Sequence, residues 1–402
     1  MKIGIFGNTN NYPYLLAQGL RRLGVDVRLV VNRPELLHRP ESKHSELVND
    51  YSDWIADFSV LSSSYVLAGS PLISEVMRFL GDDLDAIFLN DVGLALNDGR
   101  FNCPVLALLT GSDLLYHANY DSLKERISGW PPEWHQTHRG RNTLAQIEQS
   151  IEAQREGIRR ADAISFMLPG TIPEGDKILA SLGIEAEDPK RFFVYMSNTI
   201  DLINRPAPQR RRMRIFNGAR IIWNRPLPPG FSDLDDKGTD ILVKGFALYR
   251  ARGGEGELRL VNKGYDVDLT RQLIATLGIE EDVEWLDELP LAAFYDEVDN
   301  ADVVCDQFGT SMPGMVALDA MAMGRVVLSN FRLEHMGPYF PEPYPFCQAV
   351  SPHEVCEQLW SLFQSPAGRV EMGRQASAFV RAQRSPEANA RLCLHHLGLA
   401  LS

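Results

Sequence analysis

The residues best placed to do chemistry lie in one stretch, 301–330, ADVVCDQFGTSMPGMVALDAMAMGRVVLSN. Val303, Val304 and Cys305 are an apolar run of the kind a buried parallel strand shows, and the polar, glycine-bearing segment from Asp306 to Gly314 follows it. Met315, Leu318, Ala322 and Met323 then recur at helical spacing up to Gly324. A helix that starts after such a loop points its positive end at whatever the loop holds, so an anion is the natural guest. Gly314 beside Pro313 would let the backbone approach that guest closely. The same residues also suit an ordinary connecting loop.

Such a loop needs a sheet to hold it. Arg325 to Leu328 is a second apolar run, so the unit is strand, loop, helix, strand, with the loop at the carboxyl edge where doubly wound sheets bind ligands. The chain opens the same way. Lys2 to Phe6 reads as a strand, Gly7-Asn8-Thr9-Asn10-Asn11 as a polar loop, Tyr12, Leu15, Leu16, Leu20 and Leu23 as a helix ended by Gly24, and Val25 to Val31 as the next strand. Gly4 and Gly7 do not form the G-x-G-x-x-G fingerprint, so Asn8, Asn10 and Asn11 offer polar contacts rather than a pyrophosphate cradle, or simply make a turn.

Between Asn32 and Gly81 the pattern is irregular and predicts loops and short helices. Ala86 to Leu89, Val105 to Leu109, Ala163 to Met167 and Phe192 to Met196 read as strands, Leu144 to Arg160 and Pro173 to Leu182 as helices. Farther on, Ile215-Phe216, Leu258 to Val261 and Val283 to Leu286 are strands, alternating with helices at Leu269 to Leu277 and Leu291 to Val298. Glu354 to Phe363, Ala367 to Arg384 and Ala388 to Leu399 are helical. Regular β-α alternation predicts an α/β chain of two Rossmann-like domains.

Composition excludes several classes. At 402 residues the chain is long enough for two domains, and neither a secretory signal nor a membrane-length apolar span is visible, which predicts a soluble, cytoplasmic protein. Cys103, Cys305, Cys347, Cys356 and Cys393 form no C-x-x-C pair, which argues against a zinc site or a disulfide framework. His395 and His396 are adjacent on a helix and diverge, so they make no metal pair. A net charge of −13 disfavours nucleic-acid binding, so any anionic ligand needs a local basic site.

The spelling of 314–329, GMVALDAMAMGRVVLS, resembles the signature of the family 4 glycosyltransferases, retaining enzymes of the two-Rossmann-domain GT-B fold (glycosyltransferase group 1). In that family a glycine is followed by a Leu-Glu-Ala-Met-Ala-x-Gly-x-Pro-Val-Val run. The family's two glutamates, with seven residues between them, fall on Ser311 and Asp319, and Val326 stands in place of its proline, after Arg325. Further along the resemblance, Thr110-Gly111-Ser112-Asp113-Leu114 is similar to a His-Gly-Ser-Asp-Leu turn of the amino-terminal domain, with Thr110 in place of the histidine. Ser112 or Asp113 could also simply cap a helix there. Ser197-Asn198-Thr199-Ile200-Asp201 is similar to the Asn-Gly-Ile-Asp turn that closes that domain. Arg220 after a strand, and Lys237-Gly238-Thr239-Asp240-Ile241-Leu242, are similar to the arginine and the Lys-Gly-x-Asp-x-Leu start of the donor domain.

The resemblance implies two domains facing across a cleft, 1–204 for the acceptor and 205–383 for the donor, with a terminal helix over 384–402 returning to the first. It implies that Arg220 and Lys237 hold the diphosphate, where fixed cations balance the charge growing on the leaving group. Arg225 is a nearby competitor. Asp319 would accept from the ribose, Ser311 with Met312, Pro313 and Gly314 would face the donor sugar, and Lys263 and Tyr265 would lie beside the nucleotide. Asn8, Asn10, Asn11, Thr110 and Asp113 become acceptor-side candidates.

The expected reaction is transfer of a sugar from a UDP- or GDP-linked donor to a glycan, lipid-linked or small-molecule acceptor, with retention, no cofactor and no metal. A sugar-nucleotide epimerase of the same general fold, or a nucleotide-sugar-binding subunit without turnover, are the alternatives. The arginine-rich linker, 205–214, is either a solvated hinge or a peripheral contact to acidic lipid.

Overall fold

The apolar runs become strands because each is short, rich in β-branched or leucine side chains, and bounded by polar or glycine residues. In the computed structural model, which describes all residues but 43–46, 48–50, 64–66, 68, 198–203, 207, 209, 211, 229, 230, 232, 311 and 402, they form two parallel sheets. The chain divides into two units, Met1–Tyr195 with Pro386–Ser402, and Met196–Ser385.

The first unit holds β1 (Lys2–Phe6), β2 (Asp26–Val31), β3 (Ile55–Asp57), β4 (Ala86–Leu89), β5 (Val105–Leu108), β6 (Ala163–Ser165) and β7 (Arg191–Phe192) in the order β3-β2-β1-β4-β5-β6-β7. Every pairing is parallel, from Ile3 beside Ala86 to Ile164 beside Arg191. β4 and β5 are buried at every position, as strands covered on both faces by helices must be. The helix Tyr12–Arg22 packs on the last helix, Pro386–His396, so closely that a Cβ on Gly19 would lie 2.4 Å from the Pro386 carbonyl. His396 also stacks on Phe192, ring centroids 4.0 Å apart. The terminal helix thus belongs to the first unit.

The second unit repeats the scheme with β8 (Met213–Asn217), β9 (Gly256–Val261), β10 (Val283–Leu286), β11 (Val303–Cys305), β12 (Val326–Ser329) and β13 (Cys347–Gln348), ordered β10-β9-β8-β11-β12-β13. Its core gathers Leu242, Phe246, Tyr249, Val303, Cys305 and Leu328, all 0 % exposed. In both sheets the order reverses once, between β1 and β4 and between β8 and β11. Loops leaving the carboxyl ends of those strand pairs diverge to opposite sides and leave a crevice, the general ligand position of open α/β sheets.

Three sequence expectations change. The region from Asn32 to Gly81, beside the short helix Ile73–Leu80 that fits its reading, also contains a strand, β3. β3 is an edge strand of three residues with only Ile55 buried, and the helix buries only Val76 and Leu80, too few positions to leave a period. The long polar helix begins at His138, where the Thr137 hydroxyl accepts from the Gly140 amide at 2.9 Å. β7 stops at Phe192, since the backbone at Tyr195 pairs with the Asn389 side chain instead of a strand. In the arginine-rich linker, Arg205 pairs with Asp299 at 2.8 Å, Arg212 with Asp282 at 3.6 Å and Arg214 with Glu257 at 2.8 Å, while Arg210 donates to the Asn300 carbonyl at 2.7 Å. No helix among the described residues is long and apolar enough to cross a membrane.

Candidate functional site

At the reversal point of the second sheet, the loops after β8 and β11 are tied together through Lys237. Its amide donates to the Ile222 carbonyl at 2.7 Å and its own carbonyl accepts from the Phe308 amide at 2.8 Å. Gly238 follows with φ +61, and a Cβ there would lie 2.5 Å from the Gly309 nitrogen, so only glycine lets these two backbones touch. The Lys237 ammonium rests on the Leu234 carbonyl at 2.9 Å. Burial lowers its pKa, Asp306 opposes that, and the charge of Arg220 adds to the lowering. Arg220 is half exposed, 3.4 Å from Asp235.

The loop from 306 to 314 is lashed from within. Asp306, buried, accepts from the Gly314 amide at 2.5 Å, the Gln307 side chain donates to the Met312 carbonyl, and Asn330 donates to the Gly309 carbonyl at 3.0 Å. These bonds set the start of the helix Met315–Ala322. Burial raises the Asp306 carboxyl to about 6, against the pull of the Gly314 amide and Lys237, with Asp319 adding to the rise. Asp319 itself is 3 % exposed and accepts from the Tyr295 hydroxyl at 2.9 Å, while burial and the Asp319 charge push the Tyr295 phenol well up.

On the far side of β8, the turn from Lys263 to Tyr265 packs on Ile221, whose amide donates to the Lys263 carbonyl at 2.8 Å. Lys263 pairs with Glu288, and Tyr265 is 65 % exposed beside Phe231. Asp266 fixes the loop after β8 by accepting from the Trp223 amide at 2.7 Å and the Asn224 amide at 3.0 Å. Arg225 is clamped by Asp236 at 2.9 Å and Asp233 at 2.8 Å.

In the first unit the loop after β1 is built by asparagines. Asn8 donates to Asn11 at 2.7 Å and to the His38 carbonyl at 2.8 Å, and accepts from the Tyr14 amide; Asn11 donates to the Arg39 carbonyl at 2.8 Å and to Ser42. Both side chains are buried, and their amides are spent on the fold. Asn10 is exposed, in a left-handed conformation with φ 54. Asp113 is 0 % exposed and accepts from the amides of Thr110, Gly111 and Leu114 and from Asn90, which makes it the cap of a turn. Burial lifts its carboxyl to about 6. Thr110 also donates through its hydroxyl to Asp113, at 3.1 Å.

No family model and no curated protein matches the sequence. Solved structures are similar. Sucrose-phosphate synthase from Thermosynechococcus elongatus aligns at TM-score 0.59 and 12% identity over 98% of both chains. HepE from Anabaena, in complex with UDP, aligns at 0.60 and 14% over 99% of this chain and 100% of that one. The apo form of the lipopolysaccharide outer core galactosyltransferase WaaB aligns at 0.56 and 13% over 99% of each. The fold is GT-B.

Within this GT-B chain, Arg220, Lys237, Asp306 and Asp319 are linked by the electrostatic effects that each exerts on the next. Met312, Pro313 and Gly314 line the same loop; Ser311 lies outside the described residues, as does the Asn198 to Asp201 turn. Lys263 and Tyr265 approach through Ile221. On the first sheet, Asn8, Asn11 and Asp113 are buried and hydrogen-bonded within the loops that carry them. Sequence reasoning passed over Asp306, Tyr295 and Asp266 in the second unit, and Asn32, Arg33, Asp91 and His117 in the first. The signal available for Asp91 was its place just after β4. Among the described residues no group of three His, Cys, Asp or Glu side chains is gathered to hold a metal.

Proposed function

We propose that the chain is a family 4-like retaining glycosyltransferase that moves a sugar from a UDP- or GDP-linked donor to an acceptor hydroxyl without a metal. The observation that carries this reading is the reversal point of the second sheet, where the Lys237 backbone is tied to Phe308 in the loop that Asp306 fastens ahead of the helix Met315–Ala322, with the charge of Arg220 acting on Lys237. Two cations and a helix start can balance the charge of a departing diphosphate. In this reading Lys237 and Arg220 hold the diphosphate, Asp319 orients the ribose with Tyr295 as its support, and Ser311 with the 312–314 backbone faces the sugar. Lys263 and Tyr265 flank the nucleotide. Asn10 and Thr110 remain the acceptor-side candidates of the notable loops in the first unit. HepE, of the same fold, is a complex with UDP, which supports a nucleotide at this kind of site.

The test has two stages. UDP and GDP are first compared by thermal shift, where a ligand at 100 times its dissociation constant stabilises the fold by about 2.7 kcal/mol. The responding nucleotide's sugars are then incubated with candidate acceptors in EDTA, and the product's anomeric configuration is read by NMR. A donor isomerised without any acceptor would make the chain an epimerase, and binding without turnover would make it a non-catalytic subunit. Either outcome overturns the proposal.

A further inference from the structure

The two cations at the reversal point of the second sheet already have partners, and one short segment supplies them. The Leu234 carbonyl accepts from the Lys237 ammonium at 2.9 Å, and Asp235 lies 3.4 Å from the Arg220 guanidinium. On either side of those two residues, Asp233 and Asp236 hold Arg225 at 2.8 Å and 2.9 Å. Four consecutive residues, Asp233 to Asp236, thus give a carboxylate or carbonyl oxygen to each of the three basic side chains between β8 and the helix Thr239–Ala251.

The segment is anchored by its neighbours. The Thr310 hydroxyl donates to the Asp233 carbonyl, and Arg332, after β12, donates to the Thr310 carbonyl. Asp236 is buried and also accepts from the Gly238 amide at 2.9 Å, so its grip on Arg225 is part of the fold. The pair of Arg220 with Asp235 is different. Its side chains are 52% and 28% exposed, and an ion pair so open to solvent is weak. The backbone that carries Asp235 is held in place, while the pair that its side chain makes is easily parted.

Such a pair neutralises Arg220 while the site is empty, and a diphosphate that takes Arg220 must first part it from Asp235. A diphosphate can do so, because a guanidinium makes charge-assisted, two-point bonds to phosphate oxygens. We infer that Asp235 is an internal competitor for Arg220, a carboxylate displaced when a nucleoside diphosphate or its sugar ester binds, which lowers the affinity for the donor and eases release of the diphosphate product. The competitor is attached to the chain, so it acts at a fixed effective concentration. Easier release favours turnover, since the departure of product limits many enzymes. The inference rests on the assignment of the diphosphate to Arg220 and Lys237.

Titration calorimetry on the full chain at low ionic strength, with UDP, GDP and inorganic pyrophosphate as separate probes, compares the wild type with two variants that each lose one charge from the same segment. Asp235→Asn keeps the shape and removes the competitor, so the responding diphosphate is expected to bind about threefold to fivefold tighter, the range of an exposed ion pair. Asp233→Asn leaves Arg225 on Asp236 and Arg220 on Asp235, so its affinity should match the wild type. A wild-type crystal soaked in the responding nucleotide should show Arg220 moved from Asp235 to the diphosphate. Diphosphate binding that Asp235→Asn leaves unchanged or weakens would overturn the inference and leave the transfer reading standing. Equal gains in both variants would assign the effect to net charge, and Arg220 still on Asp235 beside a bound nucleotide would show no competition; either overturns the inference alone. No response to any diphosphate, in the wild type or in Asp235→Asn, would sink the transfer reading and the inference with it.

Discussion

The Asp306 carboxylate accepts the Gly314 amide hydrogen at 2.5 Å, so a side chain eight positions upstream fixes the residue from which the helix Met315–Ala322 departs. The bond closes the loop from 306 to 314. Holding a buried carboxylate there has a cost in stability, and the cost depends on pH.

Burial raises the Asp306 carboxyl from 3.8 to about 6, so between those values the folded chain binds the proton more tightly than the unfolded one. Stability from this group is therefore fully present below about pH 4, lost as pH rises toward 6, and flat above; the shift corresponds to about 3 kcal/mol. Asp306→Asn keeps an oxygen for the Gly314 amide and has no charge to bury. Denaturant unfolding of both proteins from about pH 4 to 7 should show the variant gaining on the wild type by roughly that amount. Asp113, also raised to about 6, is common to both proteins and cancels. Parallel pH curves would show that Asp306 is not desolvated as described.

Arg325 is a departure from the family spelling that the structure explains. Its guanidinium is 1 % exposed, pairs with Asp299 at 2.6 Å and donates to the Arg205 carbonyl at 3.0 Å, so it fastens the segment entering the second unit to the helix Leu291–Asn300. Removing one member of a buried pair typically costs about 3–5 kcal/mol. Arg325→Ala should fall at the lower end, because Arg205 still reaches Asp299 at 2.8 Å. A urea midpoint within the error of the wild type would contradict this.

Why some of this was legible and some was not follows from the physics of each signal. β4, β5 and β11 announced themselves because strands buried on both faces must be apolar throughout. β3 did not, since an edge strand of three residues needs only Ile55. Lys237 and Asp319 were visible through family spelling, yet their partners were not: Tyr295 lies 24 residues before Asp319, and nothing local in a sequence pairs a phenol with a distant carboxylate. Asn8, Asn11 and Asp113 show the limit of such a reading. A polar residue in a loop reads the same whether it faces a ligand or holds the loop, and only the partners decide: here the Tyr14 amide, the Arg39 carbonyl and the Thr110 amide.

Tyr295 and Asp319 should be separable by paired substitutions. Tyr295→Phe leaves a buried carboxylate short of one donor, a loss of about 1–3 kcal/mol that appears in stability as well as in donor affinity. Asp319→Asn keeps an oxygen for the phenol but lacks the charge that strengthens a bond from a ribose hydroxyl, so it should weaken the donor with little change in stability. Calorimetry with UDP or GDP beside thermal unfolding distinguishes the two. Equal donor affinity in wild type and Asp319→Asn would remove Asp319 from the ribose.

In the proposed transfer, Lys237 and Arg220 would meet the main electrostatic demand. Charge builds on the diphosphate as the glycosidic bond breaks, so cations fixed beside it lower the barrier more than they tighten the ground state. The backbone of Lys237 is pinned on both sides, by Ile222 and Phe308, which suits a group that must not reorganise during the reaction. Burial has lowered its pKa, and an arriving diphosphate raises it again; donor affinity should therefore decline at alkaline pH earlier than an ordinary lysine would make it. Lys237→Ala is expected to lower turnover on the order of 100-fold to 1,000-fold with a smaller change in Michaelis constant, and to abolish that alkaline decline. Arg220, paired with Asp235 at 3.4 Å and half exposed, can swing to a ligand, and Arg220→Lys should fail to restore activity because an ammonium lacks the planar two-point contact. The rival Arg225 is already committed to Asp233 and Asp236, and Lys263 to Glu288, so neither should substitute. Folded alanine variants of Lys237 and Arg220 that each kept more than about a third of wild-type turnover would rule both out of this role.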